Sequence, residues 1–127
     1  MTETIEVDQF IAKPPAEVWK AITTPELFAK WWAPGDVKAE VGHQFTIDMG
    51  GWGHQPCTVL EVDEPNRFVY SFADHWTLSF TLVAEGTGTR LLFVHAGFRP
   101  DDPQDRFALD NMRDGWGETM EKLAAVA

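Results

Sequence analysis

The 127-residue sequence has little cysteine, little tyrosine, few cations and no long apolar stretch. Each shortage excludes something. Cys57 is the only cysteine, so no internal disulfide can form and an intracellular compartment fits. Its neighbours form no nucleophile motif, and a buried, structural thiol is expected. The longest apolar run is residues 123–127, far short of the roughly 18 residues that a membrane span needs. No basic start followed by an apolar stretch opens the chain, so no secretory signal is read and the expected location is cytoplasmic. Ten basic side chains face 20 acidic ones, a net charge of −10 with no basic patch. A field of that sign repels phosphate backbones and anionic headgroups, so neither nucleic acid nor a membrane surface is an expected partner.

Motifs for covalent, metal and cofactor chemistry are missing too. There is no Ser/His/Asp order, G-x-S-x-G, Walker loop or dinucleotide glycine motif. His54 and Cys57 form a lone H-x-x-C with no second pair at zinc spacing. Gly50, Gly51 and Gly53 follow a strand without opening a helix, which argues against a phosphate cradle. No metal and no cofactor are expected. No repeat, low-complexity segment or linker divides the chain.

What is present suits one globular domain over residues 1–127: 44% hydrophobic and 24% charged residues. A chain of this length buries roughly 65–70% of its unfolded surface. Residues 3–12 read as a strand with Ile5, Val7 and Ile11 on one face. Pro14 and Pro15 end it and open a short helix over about 15–23, carrying Val18, Trp19 and Ile22. Thr24, as a candidate cap, with Pro25 and Glu26 opens a second helix, which holds Leu27, Phe28, Trp31 and Trp32 and stops at Pro34-Gly35.

From Val37 to Phe98 the period becomes two. Phe45, Ile47 and Met49 alternate with polar residues. The strand over about 55–63 has an unclear inward face, because Val59 and Leu60 are both apolar. Phe68, Tyr70 and Phe72 follow, then Trp76, Leu78, Phe80 and Leu82, the cleanest alternation in the chain. Asp74 and His75, just before it, would point to opposite faces if extended. Gly86-Thr87-Gly88 is a hairpin connection, and Leu91, Phe93 and His95 share a face after it. Asp102 caps a long helix over 103–126, whose stripe is Leu109, Met112, Trp116, Met120 and Leu123. Gly115 and Gly117 flank Trp116, each costing ~1 kcal/mol relative to alanine. A close approach to a strand or ligand, or a bend, would account for them.

The order is one strand, two short helices, a run of about six strands and a long helix. That is an α+β domain with the helices on one face of the sheet. One amphipathic helix cannot cover such a curved sheet, so a cavity is expected between them.

The segment Ile11-Ala12-Lys13-Pro14-Pro15-Ala16-Glu17-Val18-Trp19, with Thr24-Pro25-Glu26 and Trp31-Trp32-Ala33-Pro34, resembles the opening of the SRPBCC (START/Bet v 1-like) superfamily. The branch it resembles is the C-terminal domain of the activator of the heat-shock protein 90 ATPase. Val59-Leu60-Glu61-Val62, Pro65-Asn66-Arg67-Phe68-Val69-Tyr70, Gly88-Thr89-Arg90-Leu91, His95-Ala96-Gly97-Phe98 and Gly115-Trp116 continue the match in order. The resemblance implies a helix-grip fold: a curved antiparallel sheet of about six to seven strands around the C-terminal helix, enclosing an apolar cavity. It implies no one activity. The namesake carries a separate N-terminal domain that engages the chaperone, for which this sequence leaves no room, so co-chaperone activity is not expected. The short connection between Phe72 and Trp76 is expected to alter the cavity mouth.

Two function classes follow. One is a binder of a small apolar or aromatic molecule, lined by Trp76, Met112, Trp116, Phe45, Tyr70, Phe80 and Trp52, with His95 as polar anchor. The other is a cyclase- or hydratase-type enzyme in the same cavity, with His95 and Tyr70 or an acidic residue moving protons. Catalysis needs two ionisable side chains converging inside the cavity, and the sequence offers one, so the binder is preferred. Leu92 and Val94, apolar on the opposite face of their strand, suggest a homodimer.

Overall fold

The computed structural model describes residues 3–73 and 75–127, and Asp74 lies outside the described residues. Strand β1 (Glu3–Ile11) leads into helices α1 (Pro15–Thr23) and α2 (Pro25–Trp31). Strands β2 (Gln44–Asp48), β3 (His54–Asp63), β4 (Arg67–Phe72), β5 (Trp76–Glu85) and β6 (Gly88–Phe98) follow, and helix α3 (Pro103–Val126) closes the chain. The run after the two short helices is thus five strands, not six. With β1 they make one six-stranded antiparallel sheet in the order β1-β6-β5-β4-β3-β2. The α+β class and the grip of sheet on helix are as expected from the sequence.

Alternation converts directly into a buried face. Val59, Tyr70, Leu78, His95 and Ile5 pair across β3, β4, β5, β6 and β1 in one row, and all five are buried. The ambiguity in β3 has a physical cause. The register shifts between Val59 and Glu61, so Leu60 bulges outward and is 49% exposed while Val59 stays in the core. At one edge, Gly35 bridges Ile47 and the Asp48 N–H donates to the Pro34 carbonyl, covering part of β2.

Asp102 caps α3 by accepting from the Gln104 N–H at 2.9 Å. Thr24 occupies the cap position of α2 but its hydroxyl makes no capping bond. The helix starts instead on the fixed φ of Pro25. Gly115 and Gly117 approach neither strand nor side chain, since a Cβ at either would meet nothing within 4 Å. Close packing against a strand is therefore not their explanation. The glycine that does work by close approach is Gly97, at φ +99° in β6, where a Cβ would run into the His75 carbonyl. Among the described residues no helix is long and apolar enough to cross a membrane.

Candidate functional site

The C-terminal half of α3 closes its side of the core with Trp116, Met120 and Leu123, all buried. Its N-terminal half buries only Asp105 and Leu109. Beneath that half lies a cleft of about 790 Å³. The segment following β2, the β4–β5 connection and the first three turns of α3 form its walls. Met49, Phe72, Trp76, Phe107, Ala108 and Met112 supply the apolar surface, and Gln55, Gln104 and Asn111 supply amides. A smaller recess of about 180 Å³ continues along α3 between Trp32, Met112, Gly115 and Trp116. Met49, Asn111 and Met112 border both spaces. Gly115 thus leaves open space, which is where its missing side chain matters.

One end of the cleft is polar. His75, in the β4–β5 connection, donates from Nε2 to Asp105 Oδ2 of α3 at 2.6 Å, and the Arg99 N–H donates to the same oxygen at 2.6 Å. Burial works to raise the Asp105 carboxyl, but the Arg99 N–H, His75 and the Arg99 charge outweigh it and hold the pKa below its ordinary value. Asp105 is 3% exposed and ionised, and it ties the hairpin to the helix across the cleft. His75 Nδ1 is buried without a partner among the described residues.

His95 lies one layer deeper. The Trp116 indole N–H donates to its Nδ1 at 2.9 Å. An indole N–H can only donate, so Nδ1 is the acceptor and the proton of neutral His95 sits on Nε2. That Nε2 has no partner among the described residues. The ring is enclosed by Phe98 at 4.4 Å, Trp76 at 4.9 Å and Phe72 at 6.1 Å between centroids. Burial pushes its pKa down to about 3, against the opposing pull of the Asp105 charge. A side chain so placed stays neutral near pH 7 and neither gains nor loses a proton in that range.

The residues singled out from the sequence separate into three groups. Trp76 and Met112 line the cleft, and Met112 and Trp116 line the recess. His95 backs Trp76 and Trp116 without lining either space. Phe45, Tyr70 and Phe80 pack together in the buried core, with Tyr70 5.4 Å from Phe45 and 5.9 Å from Phe80 between centroids. The Tyr70 hydroxyl is buried without a partner among the described residues, and burial raises its pKa well above the ordinary value. The backbone of Trp52 closes a single 3-10 turn, Gly50–Trp52, and its side chain lies outside what is described. Cys57 is buried, and desolvation lifts its thiol to about 12, which leaves it inert. Among the described residues no three His, Cys, Asp or Glu side chains gather as a metal site would require.

Sequence reasoning missed the His75–Asp105 pair, whose members are 30 residues apart. Gly97 was the available signal, because a glycine inside a strand marks a close backbone approach. It also missed the lining residues Met49, Phe72 and Ala108.

The model of the family described as Activator of Hsp90 ATPase homolog 1-like protein matches residues 12–127. The chain belongs to that family. Among solved structures it is similar to protein MLL2253 from Mesorhizobium loti, at 33% identity and a TM-score of 0.89, over 98% of this chain and 96% of that one. It is similar to protein BH1534 from Bacillus halodurans at 28% identity and a TM-score of 0.89, over 99% of both chains. CalU16 from Micromonospora echinospora shares the fold at 22% identity and a TM-score of 0.80, over 98% of this chain and 76% of that one. No curated protein matches the chain. Family membership brings the SRPBCC-type fold.

Proposed function

We propose that this protein binds a small hydrophobic or aromatic molecule in the cleft beneath the first half of α3. The observation that carries the reading is the cleft itself: about 790 Å³ between apolar walls, with amides and one His–Asp pair at its rim. Small-molecule sites run from about 300 to 1,000 Å³ with a few polar groups to orient the ligand. Phe72 and Trp76 stack on one another at 6.0 Å and offer a flat wall, the surface on which a planar ligand gains most contact.

The His75–Asp105 pair favours a second reading, an enzyme of cyclase or hydratase type, because two ionisable groups now converge on one wall. In this arrangement the pair is closed on itself. His75 Nε2 is spent on Asp105, and its Nδ1 is buried. His95, the other inward histidine, is neutral. The geometry therefore supports binding better than proton transfer.

The test is an NMR titration with 2-naphthol, a small planar probe, read on the indole N–H signals of the six tryptophans. Binding in the cleft shifts the Trp76 signal and leaves that of Trp19, on α1, in place. No shift at millimolar probe, or a shift that Ala108→Phe does not abolish, overturns the reading.

A further inference from the structure

The cleft has an ionised carboxylate in its wall and no lysine or arginine among its lining residues. We infer that the site selects by charge: its ligand is an uncharged planar molecule bearing a hydrogen-bonding oxygen, and Asp105 excludes carboxylates and other anions. The inference rests on the binding reading above and narrows it to a ligand class.

An anion entering the cleft would leave water and meet no lysine or arginine to replace its hydration, and the one histidine among the described lining residues is bound to Asp105. It would also approach a carboxylate in a site of low polarisability, where like charges repel far more than in water. Asp105 cannot escape this by taking up a proton, since two N–H groups hold it in its charged form. Arg99, whose charge helps to keep Asp105 ionised, is exposed on the loop before α3 and gives the carboxylate its backbone N–H without lining the cleft. The whole-chain charge of −10 repels anions before they arrive. What the wall offers is donors and acceptors without net positive charge: the amide of Gln104, the side chain of Asn111, whose amide N–H also donates to the Phe107 carbonyl, and the indole of Trp76. The Trp76 N–H is buried and lacks an acceptor among the described residues, a group that a neutral ligand oxygen can satisfy after a small turn of the ring.

Isothermal titration calorimetry with 2-naphthol and 2-naphthoate tests this, because the two probes share a ring system and differ in charge at pH 7. The expected result is at least tenfold tighter binding of 2-naphthol. Asp105→Asn, which keeps shape and an acceptor for the Arg99 N–H, should raise 2-naphthoate affinity several-fold relative to that of 2-naphthol. Gln104→Lys, an exposed substitution on the cleft rim, should raise 2-naphthoate affinity too, and it serves where Asp105→Asn fails to fold. Equal binding of the two probes by the native protein overturns the charge inference and leaves the binding reading standing. So does a probe ratio that neither variant changes. Failure of both probes to bind overturns the binding reading, and this inference with it.

Discussion

The two halves of α3 face the same sheet and do different things. The C-terminal half buries Trp116, Met120 and Leu123 in the core, where Trp116 meets Phe93 at 4.5 Å and Trp32 at 4.9 Å and borders a recess of about 180 Å³. The N-terminal half presents Ala108 and Met112 to open space and is fastened by a polar link at Asp105. Along one helix the apolar stripe continues unbroken, so the difference is not one of pattern. It comes from what stands opposite. Close packing needs a partner surface at every position, and opposite the first half of the helix the cleft stands in its place. A polar clamp can hold a helix end over such a gap without filling it.

The sharpest way to break this comparison is to truncate a side chain in each half. Trp116→Ala should cost about 3–5 kcal/mol in urea unfolding, because it opens a core cavity and removes the indole N–H that donates to His95. Met112→Ala, at the wall, should cost well under half as much. Equal losses would mean that the two halves are packed alike.

The next largest effect is on pH. Native His95 titrates near 3 and an unfolded histidine near 6.5. Between those values the unfolded chain takes the proton and the native one does not. Stability should therefore be full above pH 6.5 and fall by about 1.4 kcal/mol per unit as pH drops towards 3. Asp105, whose pKa is depressed, adds to the loss only below the ordinary carboxylate range. Urea titrations at pH 5.0, 6.0 and 7.0 check this. A native stability flat across that range, or one His95→Asn fails to flatten, contradicts a neutral His95 in the core.

Asp105→Ala should cost about 1–3 kcal/mol, by leaving the Arg99 N–H and His75 without their acceptor. Its loss should also speed amide exchange at the start of α3 while leaving residues 116–123 unchanged. Uniform acceleration along the helix would show that the clamp is not local. The smallest effect carries the opposite sign. Gly117→Ala should stabilise by up to about 1 kcal/mol, since nothing lies within 4 Å of the added carbon. Destabilisation would restore a packing role for that glycine.

The sequence made the fold legible because alternation and helical stripes are local, and each local choice agreed with the whole. Phe68, Tyr70, Phe80 and Phe93 could only face one way once the strands were drawn. The site was legible in part. Trp76, Met112 and Trp116 were identifiable as inward, and the structure puts all three beside open space. Phe45, Tyr70 and Phe80 carry the same inward signature and lie buried away from the cleft and the recess, because periodicity tells which face a residue occupies and not where along it a space opens. The His75–Asp105 clamp was beyond reach for another reason. Asp105 reads locally as an ordinary first-turn acid of a helix, and only the tertiary fold brings it to a histidine in a distant hairpin.

Hydrogen–deuterium exchange with and without saturating 2-naphthol tests the central claim most directly, because it reports on both halves of α3 at once. The account predicts protection of residues 72–77 and 103–112, with no change over 116–123. Protection confined to the outer face of the sheet around Val83 and Leu92, or none anywhere, would contradict a binding cleft beneath the first half of the helix.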